Sequence, residues 1–146
     1  MNIDTKEVSI RSVKDNYIWR FSAIYKKITV GYAKCTCRDN RLLLGDIFVY
    51  DKHPLPWSFL NSLLNLFGLP YRKVNFRSLG IGTRLLNYIL SKATTAGVRE
   101  VWGSVTQQDI DRNPHLLSWY EHHGFIISEA DNECIEEAVK KIKKML

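Results

Sequence analysis

The chain reads Arg77-Ser78-Leu79-Gly80-Ile81-Gly82-Thr83 directly before an amphipathic helix, so a cation and two glycines stand where the helix begins. The helix is predicted from apolar residues at helical spacing, which are Leu85, Leu86, Ile89, Leu90 and Ala93. Unpaired backbone N–H groups collect at a helix start, the helix dipole favours negative charge there, and glycines let an anion approach the backbone. The stretch indicates a phosphate-binding helix N-terminus. Glycines before a helix also form plain turns, so a second motif is needed.

That second motif lies between Asn113 and Phe125, where the sequence is NPHLLSWYEHHGF. Asn113 before Pro114 is typical of a capped helix start, and Gly124 is typical of a helix end. Together, R-x-x-G-x-G at the first helix and N-x-x-L-x-x-W-Y-x-x-x-G-F at the second resemble the GCN5-related N-acetyltransferase superfamily. The order and separation of the two motifs match as well. The resemblance extends from Leu42 to Phe125 with one interruption.

The resemblance implies an α/β fold with a mixed sheet and helices on its faces, and it implies acetyl-CoA as the cosubstrate. In this superfamily the first motif cradles the pyrophosphate of acetyl-CoA, and main-chain groups of the fourth strand bind acetyl and pantetheine. The second helix also contacts the cofactor. The cofactor-binding residues that the resemblance implies are Phe48, Val49, Arg77, Ser78, Leu79, Gly80, Ile81, Gly82, Thr83, Asn113 and Tyr120.

Acetyl transfer from a thioester to an amine needs a deprotonated amine, a polarised carbonyl and a proton for the leaving thiolate. Tyr120 matches the superfamily tyrosine that protonates or hydrogen-bonds the departing sulfur, although a tyrosine on an amphipathic helix is otherwise usually a core residue. Asp46 is the one acid on the fourth predicted strand, and the resemblance makes it a candidate base. Its alternative role is to hydrogen-bond neighbouring backbone. Asn113 is predicted both to cap its helix and, by resemblance, to contact the cofactor.

The order of predicted elements fits one domain over residues 1–146. Alternating apolar residues and turn residues predict an antiparallel meander of strands over 8–13, 17–25, 28–37 and 42–49. The helix that ends at Gly97 follows, then a strand over 98–105, the helix from Asn113, and a strand over 125–128. Strands followed by strand–helix alternation predict a mixed sheet covered by helices.

The N-terminal half departs from the superfamily in two ways. Only a short turn separates the first two predicted strands, where the superfamily carries helices that help to form the acceptor site. An insertion over 51–76 then precedes the phosphate loop, and between Trp57 and Phe67 it has the pattern of a short, nearly uncharged helix. This helix could replace the lost packing, cover the acceptor pocket as a lid, or form a dimer or membrane-surface contact.

The C-terminus is a third departure. Ile135, Ala138, Val139 and Ile142 recur at helical spacing and predict a helix over 133–146. The last strand of the superfamily would then be absent or supplied by a neighbouring chain. The apolar insertion and this C-terminal segment are the two surfaces predicted for a homodimer.

Composition limits the classes of partner. The formal net charge of +6 suits an anionic partner, either nucleic acid or a polyphosphate cofactor. No aromatic pair of an RNA-binding strand, no set of zinc ligands and no basic recognition helix supports nucleic-acid binding. The three cysteines suit a reduced, cytoplasmic protein, and the sequence has neither a signal peptide pattern nor a membrane-spanning apolar run.

The leading interpretation is thus an N-acetyltransferase that transfers acetyl from acetyl-CoA to a primary amine of a small molecule, peptide or protein. The first alternative is a catalytically silent CoA-binding regulatory module, because the shortened N-terminal part would leave the acceptor pocket incomplete. The second, less favoured alternative is a basic nucleic-acid-binding domain. Asp46, Asp109 and Asp111 are acids that could receive a cationic amine, but their spacing defines no single pocket.

Overall fold

A computed structural model of the protein describes residues 4–50, 53–54, 73–74 and 79–146. The strands are β1 (Ser9–Asp15), β2 (Ile18–Tyr25), β3 (Ile28–Arg38), β4 (Arg41–Val49), β5 (His53–Pro54), β6 (Lys73–Val74), β7 (Glu100–Thr106), β8 (Ile126–Glu129) and β9 (Ala138–Met145). The helices are α1 (Ile81–Thr95), α2 (Gln107–Arg112) and α3 (Leu116–His122), with a 3-10 turn at Thr5–Glu7. Seven strands form one sheet in the order β1-β2-β3-β4-β7-β9-β8. The predicted α/β class with a mixed sheet is confirmed.

The turns of the β1–β4 meander follow from local sequence. Lys26 and Lys27 have φ of 47° and 68°, and Asp39 and Asn40 have φ of 51° and 60°. Two consecutive residues with positive φ give a tight turn whose twist matches that of the flanking strands. Asn16, with φ of 51°, begins the equally short turn between β1 and β2. The predicted lack of helices between the first two strands is therefore confirmed.

Strands β4 and β7 separate after a short parallel pairing, which ends where Leu44 faces Gly103. The next residue, Gly45, bulges out of the β3–β4 ladder. A Cβ at position 45 would lie 2.9 Å from the carbonyl oxygen of Lys34, so any side chain there would displace the strand. Strand β7 stays paired with β9 as far as Thr106. The end of β4 therefore diverges from β7 and opens a gap in the sheet.

Helix α1 packs against β2, β3 and β4 and supplies much of the core. Its buried side chains are Ile81, Leu85, Leu86, Ile89 and Ala93. Each of the larger aliphatic side chains contributes roughly 1.5–3 kcal/mol through removal from water. Leu90, predicted on the same face, is half-buried and packs against this core. Gly97, with φ of 79°, follows the helix at the predicted stop.

The prediction of a C-terminal helix over 133–146 is wrong. Residues Ala138–Met145 form β9, which lies between β7 and β8 inside the sheet. The chain thus supplies its own last strand, and the prediction that this strand is absent or comes from a neighbour is also wrong. Ile142 is 1% exposed and Lys141 is 9% exposed, so adjacent positions are both buried. A central strand covered on both faces lacks the simple alternation by which strands are recognised.

The helix predicted to begin at Asn113 begins later. Asn113 follows α2, a short helix that was not predicted, and α3 starts at Leu116. Asn113 is not the residue that caps α3, although its Oδ1 accepts a hydrogen bond from the His115 N–H at 3.2 Å. A capping box marks the start of α2, since Thr106 Oγ1 accepts from the Asp109 N–H and the Asp109 carboxylate accepts from the Thr106 N–H. The pattern T-x-x-D was the sequence signal for this helix.

The insertion is closed at its base by two short strands. β5 and β6 pair antiparallel, with His53 opposite Val74 and Pro54 opposite Lys73. The chain therefore leaves and returns at neighbouring positions. The helix predicted within this insertion lies outside the described residues, and so do Arg77 and Ser78 of the phosphate loop.

Candidate functional site

A cavity of about 630 Å³ opens where β4 diverges from β7. The start of α1 and the helices α2 and α3 form its other walls. The lining residues are Ile47, Phe48, Val49, Gly80, Gly82, Thr83, Asp109, Arg112, Asn113, His115, Leu116, Trp119 and Tyr120. Seven of these were predicted as cofactor-binding residues, five in the two sequence motifs and two at the end of β4. The fold thus brings the two motifs and the end of β4 to one cavity.

The first turn of α1 faces this cavity. Gly80 has φ of 76°, a left-handed conformation that favours glycine, and its carbonyl oxygen accepts the first intrahelical bond, from the Arg84 N–H at 3.0 Å. The N–H groups of residues 81–83 precede that bond and have no partner within the helix. No acidic residue lies in this first turn. The helix start therefore keeps its donors and its partial positive charge for an anion.

Gly82 keeps the space above this turn open. A Cβ at position 82 would lie 3.8 Å from Trp119 Cζ2 and 3.8 Å from Val49 Cγ2. Both distances are ordinary van der Waals contacts, so one methyl group fits and a longer side chain would fill the space between Trp119 and Val49. Leu79 and Ile81 play a different part, because Ile81 is buried and Leu79 packs against the core.

A hydrogen-bond network joins α1 to α3. The Trp119 Nε1–H donates to Thr83 Oγ1 at 3.1 Å, and Thr83 Oγ1 lies 3.5 Å from His123 Nε2. The Trp119 and His123 ring centroids are 5.0 Å apart. The Lys144 ammonium group on β9 donates to the His123 carbonyl oxygen at 2.8 Å. Sequence analysis placed Thr83 at the site but missed Trp119 and His123 as its partners.

Tyr120 lies at the inner wall of the cavity. It is 8% exposed, and its ring contacts those of Trp119 and Phe125 at centroid distances of 4.9 and 5.3 Å. Burial raises the pKa of its phenol well above the ordinary value, and the charges of Asp109 and Cys35 raise it further. The hydroxyl is therefore protonated throughout the physiological range. Within residues 4–50 and 79–146 no group hydrogen-bonds it.

Asp46 stands apart from this arrangement. It is exposed on β4 opposite Lys34, and it is not among the residues that line the cavity. Asp109 is the acid in the described lining, and its carboxylate is held by the Thr106 N–H. Arg112 and His115, which sequence analysis did not single out, add basic groups to the same wall.

Metal binding and membrane spanning by a helix each need features that the described part of the chain lacks. No group of three or more His, Cys, Asp or Glu side chains there has an arrangement that could hold a metal ion. None of the helices described has the length and apolar content needed to traverse a bilayer.

No protein-family model and no curated protein matches the chain. Solved structures do match it. The PaiA N-acetyltransferase from Thermoplasma acidophilum, in complex with coenzyme A, is 16% identical with a TM-score of 0.60, over 88% of this chain and 61% of that protein. This chain thus spans about three fifths of that protein's length.

Two further structures agree. An acetyltransferase of the GNAT family from Staphylococcus aureus is 14% identical with a TM-score of 0.62, over 88% of this chain and 68% of that one. The IAA acetyltransferase from Bacillus cereus is 12% identical with a TM-score of 0.62, over 95% and 99%. As the two motifs predicted, this chain has the fold of the GCN5-related N-acetyltransferase superfamily.

Proposed function

We propose that the protein is an acetyl-CoA-dependent N-acetyltransferase that acts on a primary amine by direct attack. The observation that carries the proposal is that one cavity is lined both by the start of α1 and by the largely buried Tyr120. One end of the cavity offers helix N–H donors to phosphate. The other end offers a protonated phenol that can give its proton to the leaving group of an acyl transfer. The Thermoplasma structure, which has this fold, was solved with coenzyme A.

The cofactor would lie with its pyrophosphate at the first turn of α1. The N–H groups of Ile81, Gly82 and Thr83 would donate to it, and the absent side chain of Gly82 leaves the space that it needs. Arg77 and Ser78 are proposed to complete this loop. Phe48 and Val49 at the diverging end of β4 would contact acetyl and pantetheine, as would Asn113 from the opposite wall.

The reaction itself requires one bond to form and one to break. The neutral amine attacks the thioester carbonyl carbon, the C–N bond forms, the C–S bond breaks, and the departing thiolate takes the proton of the Tyr120 hydroxyl. The proton lost by the amine balances that transfer and returns to Tyr120 through water. Asp46 remains the proposed base for an earlier proton, the one that the acceptor ammonium loses to become the neutral amine. From its exposed position Asp46 would take that proton through solvent rather than by direct contact.

Calorimetric titration with acetyl-CoA tests the proposal. We expect micromolar binding to the wild-type protein and to Gly82→Ala, because the added methyl group makes only ordinary contacts at 3.8 Å. Gly82→Glu places bulk and negative charge at the phosphate position and is expected to abolish binding. Circular dichroism establishes that all three proteins are folded. No binding to the wild-type protein would refute the cofactor assignment.

A second candidate is a CoA-binding module without catalysis. The observation that favours it is the short turn between β1 and β2, which leaves out the helices that form part of the acceptor site in the superfamily. Binding of acetyl-CoA with no thiol release across a panel of amines, peptides and polyamines would support this candidate over the enzyme.

A further inference from the structure

Thr83 lies at the meeting point of the cofactor cavity and the network between α1 and α3. Thr83 is one of the residues that line the cavity, and its hydroxyl accepts a hydrogen bond from the Trp119 indole N–H and lies within reach of His123 Nε2. A hydroxyl has one proton to donate and two lone pairs that accept. The direction of the Thr83 O–H bond therefore depends on whether His123 Nε2 accepts or donates a hydrogen bond.

The protonation state of His123 sets this direction. When the imidazole is neutral with its proton on Nδ1, Nε2 is an acceptor and takes the Thr83 proton. When the imidazole is charged, Nε2 becomes a donor, and Thr83 Oγ1 then accepts from both Trp119 and His123. The Thr83 proton is released and can turn into the cavity, where it meets the partial positive end of α1.

The groups around His123 within the protein favour the neutral imidazole. Burial lowers the pKa of His123 below its ordinary value, and the positive charges of His122 and Lys144 lower it further. Lys144 faces His123 from β9, whereas α1 contributes only the uncharged Thr83 to this contact. The neighbouring Arg84 on α1 donates to the Thr5 carbonyl oxygen instead. A polyanion entering the cavity would add negative charge near His123 and so favour its imidazolium form.

We infer that His123 is a proton-linked positioning residue, in which phosphate binding at α1 favours the imidazolium and thereby frees the Thr83 hydroxyl to donate into the cavity. The inference rests on the proposed binding of coenzyme A at α1. The affinity for coenzyme A should therefore rise as the pH falls through the range in which His123 titrates. Trp119 holds Thr83 in place in both states.

The test uses coenzyme A itself, which binds without turnover. Imidazole nitrogen NMR of the full chain between pH 5 and 8.5 gives the pKa of each histidine with and without saturating coenzyme A. We expect the His123 pKa to rise by about one unit on binding, which equals about a tenfold difference in affinity between the two protonation states. Affinities measured at pH 6 and pH 8 should show the same linkage.

Three variants separate this linkage from the titration of coenzyme A's own phosphates. His123→Gln and Thr83→Val should each lose the protein's share of the pH dependence. His122→Gln is the matched control, because His122 is exposed and lies next to His123 without contacting Thr83. It removes one of the charges that lower the His123 pKa, so its pH dependence should persist and shift toward higher pH.

The outcomes distinguish the two levels of proposal. No binding of coenzyme A at either pH refutes the proposed function and this inference with it. Binding with an unchanged His123 pKa, or with equal pH dependence in wild type and His123→Gln, refutes the inference alone. A raised His123 pKa that Thr83→Val returns to its free value supports it.

Discussion

Replacing Tyr120 by phenylalanine removes one oxygen atom from the cavity wall and leaves the packing intact. The ring contacts with Trp119 and Phe125, at 4.9 and 5.3 Å, do not involve the hydroxyl. That hydroxyl has no hydrogen-bond partner within residues 4–50 and 79–146, so its loss leaves no described group unsatisfied. The free energy of unfolding should change by less than about 1 kcal/mol.

The catalytic effect should be much larger. Proton donation by a positioned acid typically contributes about 10²- to 10⁴-fold to a rate. We expect Tyr120→Phe to lower kcat by about this factor and to leave KM for acetyl-CoA nearly unchanged, because the hydroxyl interacts with the sulfur only as it becomes a thiolate. Burial raises the Tyr120 pKa, so this residue should cause no loss of wild-type activity between pH 7 and about 10.

Release of the CoA thiol, followed spectrophotometrically with the best amine from an acceptor screen, measures both constants. Tyr88→Phe is the matched control. Tyr88 lies on α1, contacts Phe21 at a centroid distance of 6.0 Å and does not line the cavity. A Tyr120→Phe enzyme whose kcat stays within threefold of Tyr88→Phe would contradict the assignment of Tyr120 as the acid.

Three further predictions concern stability. The Arg41 and Lys141 cations lower the pKa of Glu133 from 4.5 to about 2, so its stabilising effect is present above pH 4.5 and is lost as the pH falls to 2; Glu133→Gln should flatten this part of the stability profile in urea titrations. Gly80→Ala should cost about 1–2 kcal/mol through its φ of 76°, and Gly80→Asn less, as measured by thermal unfolding. Ile142→Ala should cost about 2–5 kcal/mol in urea titrations if β9 is central; a surface helix would lose far less.

The elements that sequence predicted well are those specified by neighbouring residues. The paired turn residues Lys26-Lys27 and Asp39-Asn40 adopt positive φ and fix the meander within a few residues of its predicted limits. Helix α1 likewise carries its own apolar stripe and its own stop at Gly97. In both cases the residues that determine the element lie within it, because turn geometry and helix periodicity are local properties.

The C-terminal strand shows why the same reasoning failed elsewhere. Lys141 is buried over the Trp102 ring at 5.2 Å from its centroid, with Asp131 and Glu133 as ion-pair partners. A lysine in this pattern is ordinarily assigned to a solvated face. Trp102 lies on β7, the distant strand that pairs with β9, and the apolar spacing of Ala138 and Ile142 carries no sign of that pairing and suggested a helix. Long-range pairing outweighed local periodicity.

The site depends both on local sequence patterns and on long-range contacts, and Gly82 shows what each contributes. From sequence, Gly82 was predicted to lie at a phosphate-binding helix start, where the lack of a side chain lets an anion approach the backbone closely. The structure adds that the space over Gly82 is bounded by Trp119 and Val49, which come from α3 and β4. Trp119 in turn is anchored on Thr83, from which it is 36 residues distant in sequence. The first motif therefore specifies the donors. The width of the space above them is set by a tryptophan of the second motif, whose placement over Gly82 follows only from the fold. Trp119→Phe should accordingly weaken coenzyme A binding even though every N–H group of the α1 turn remains.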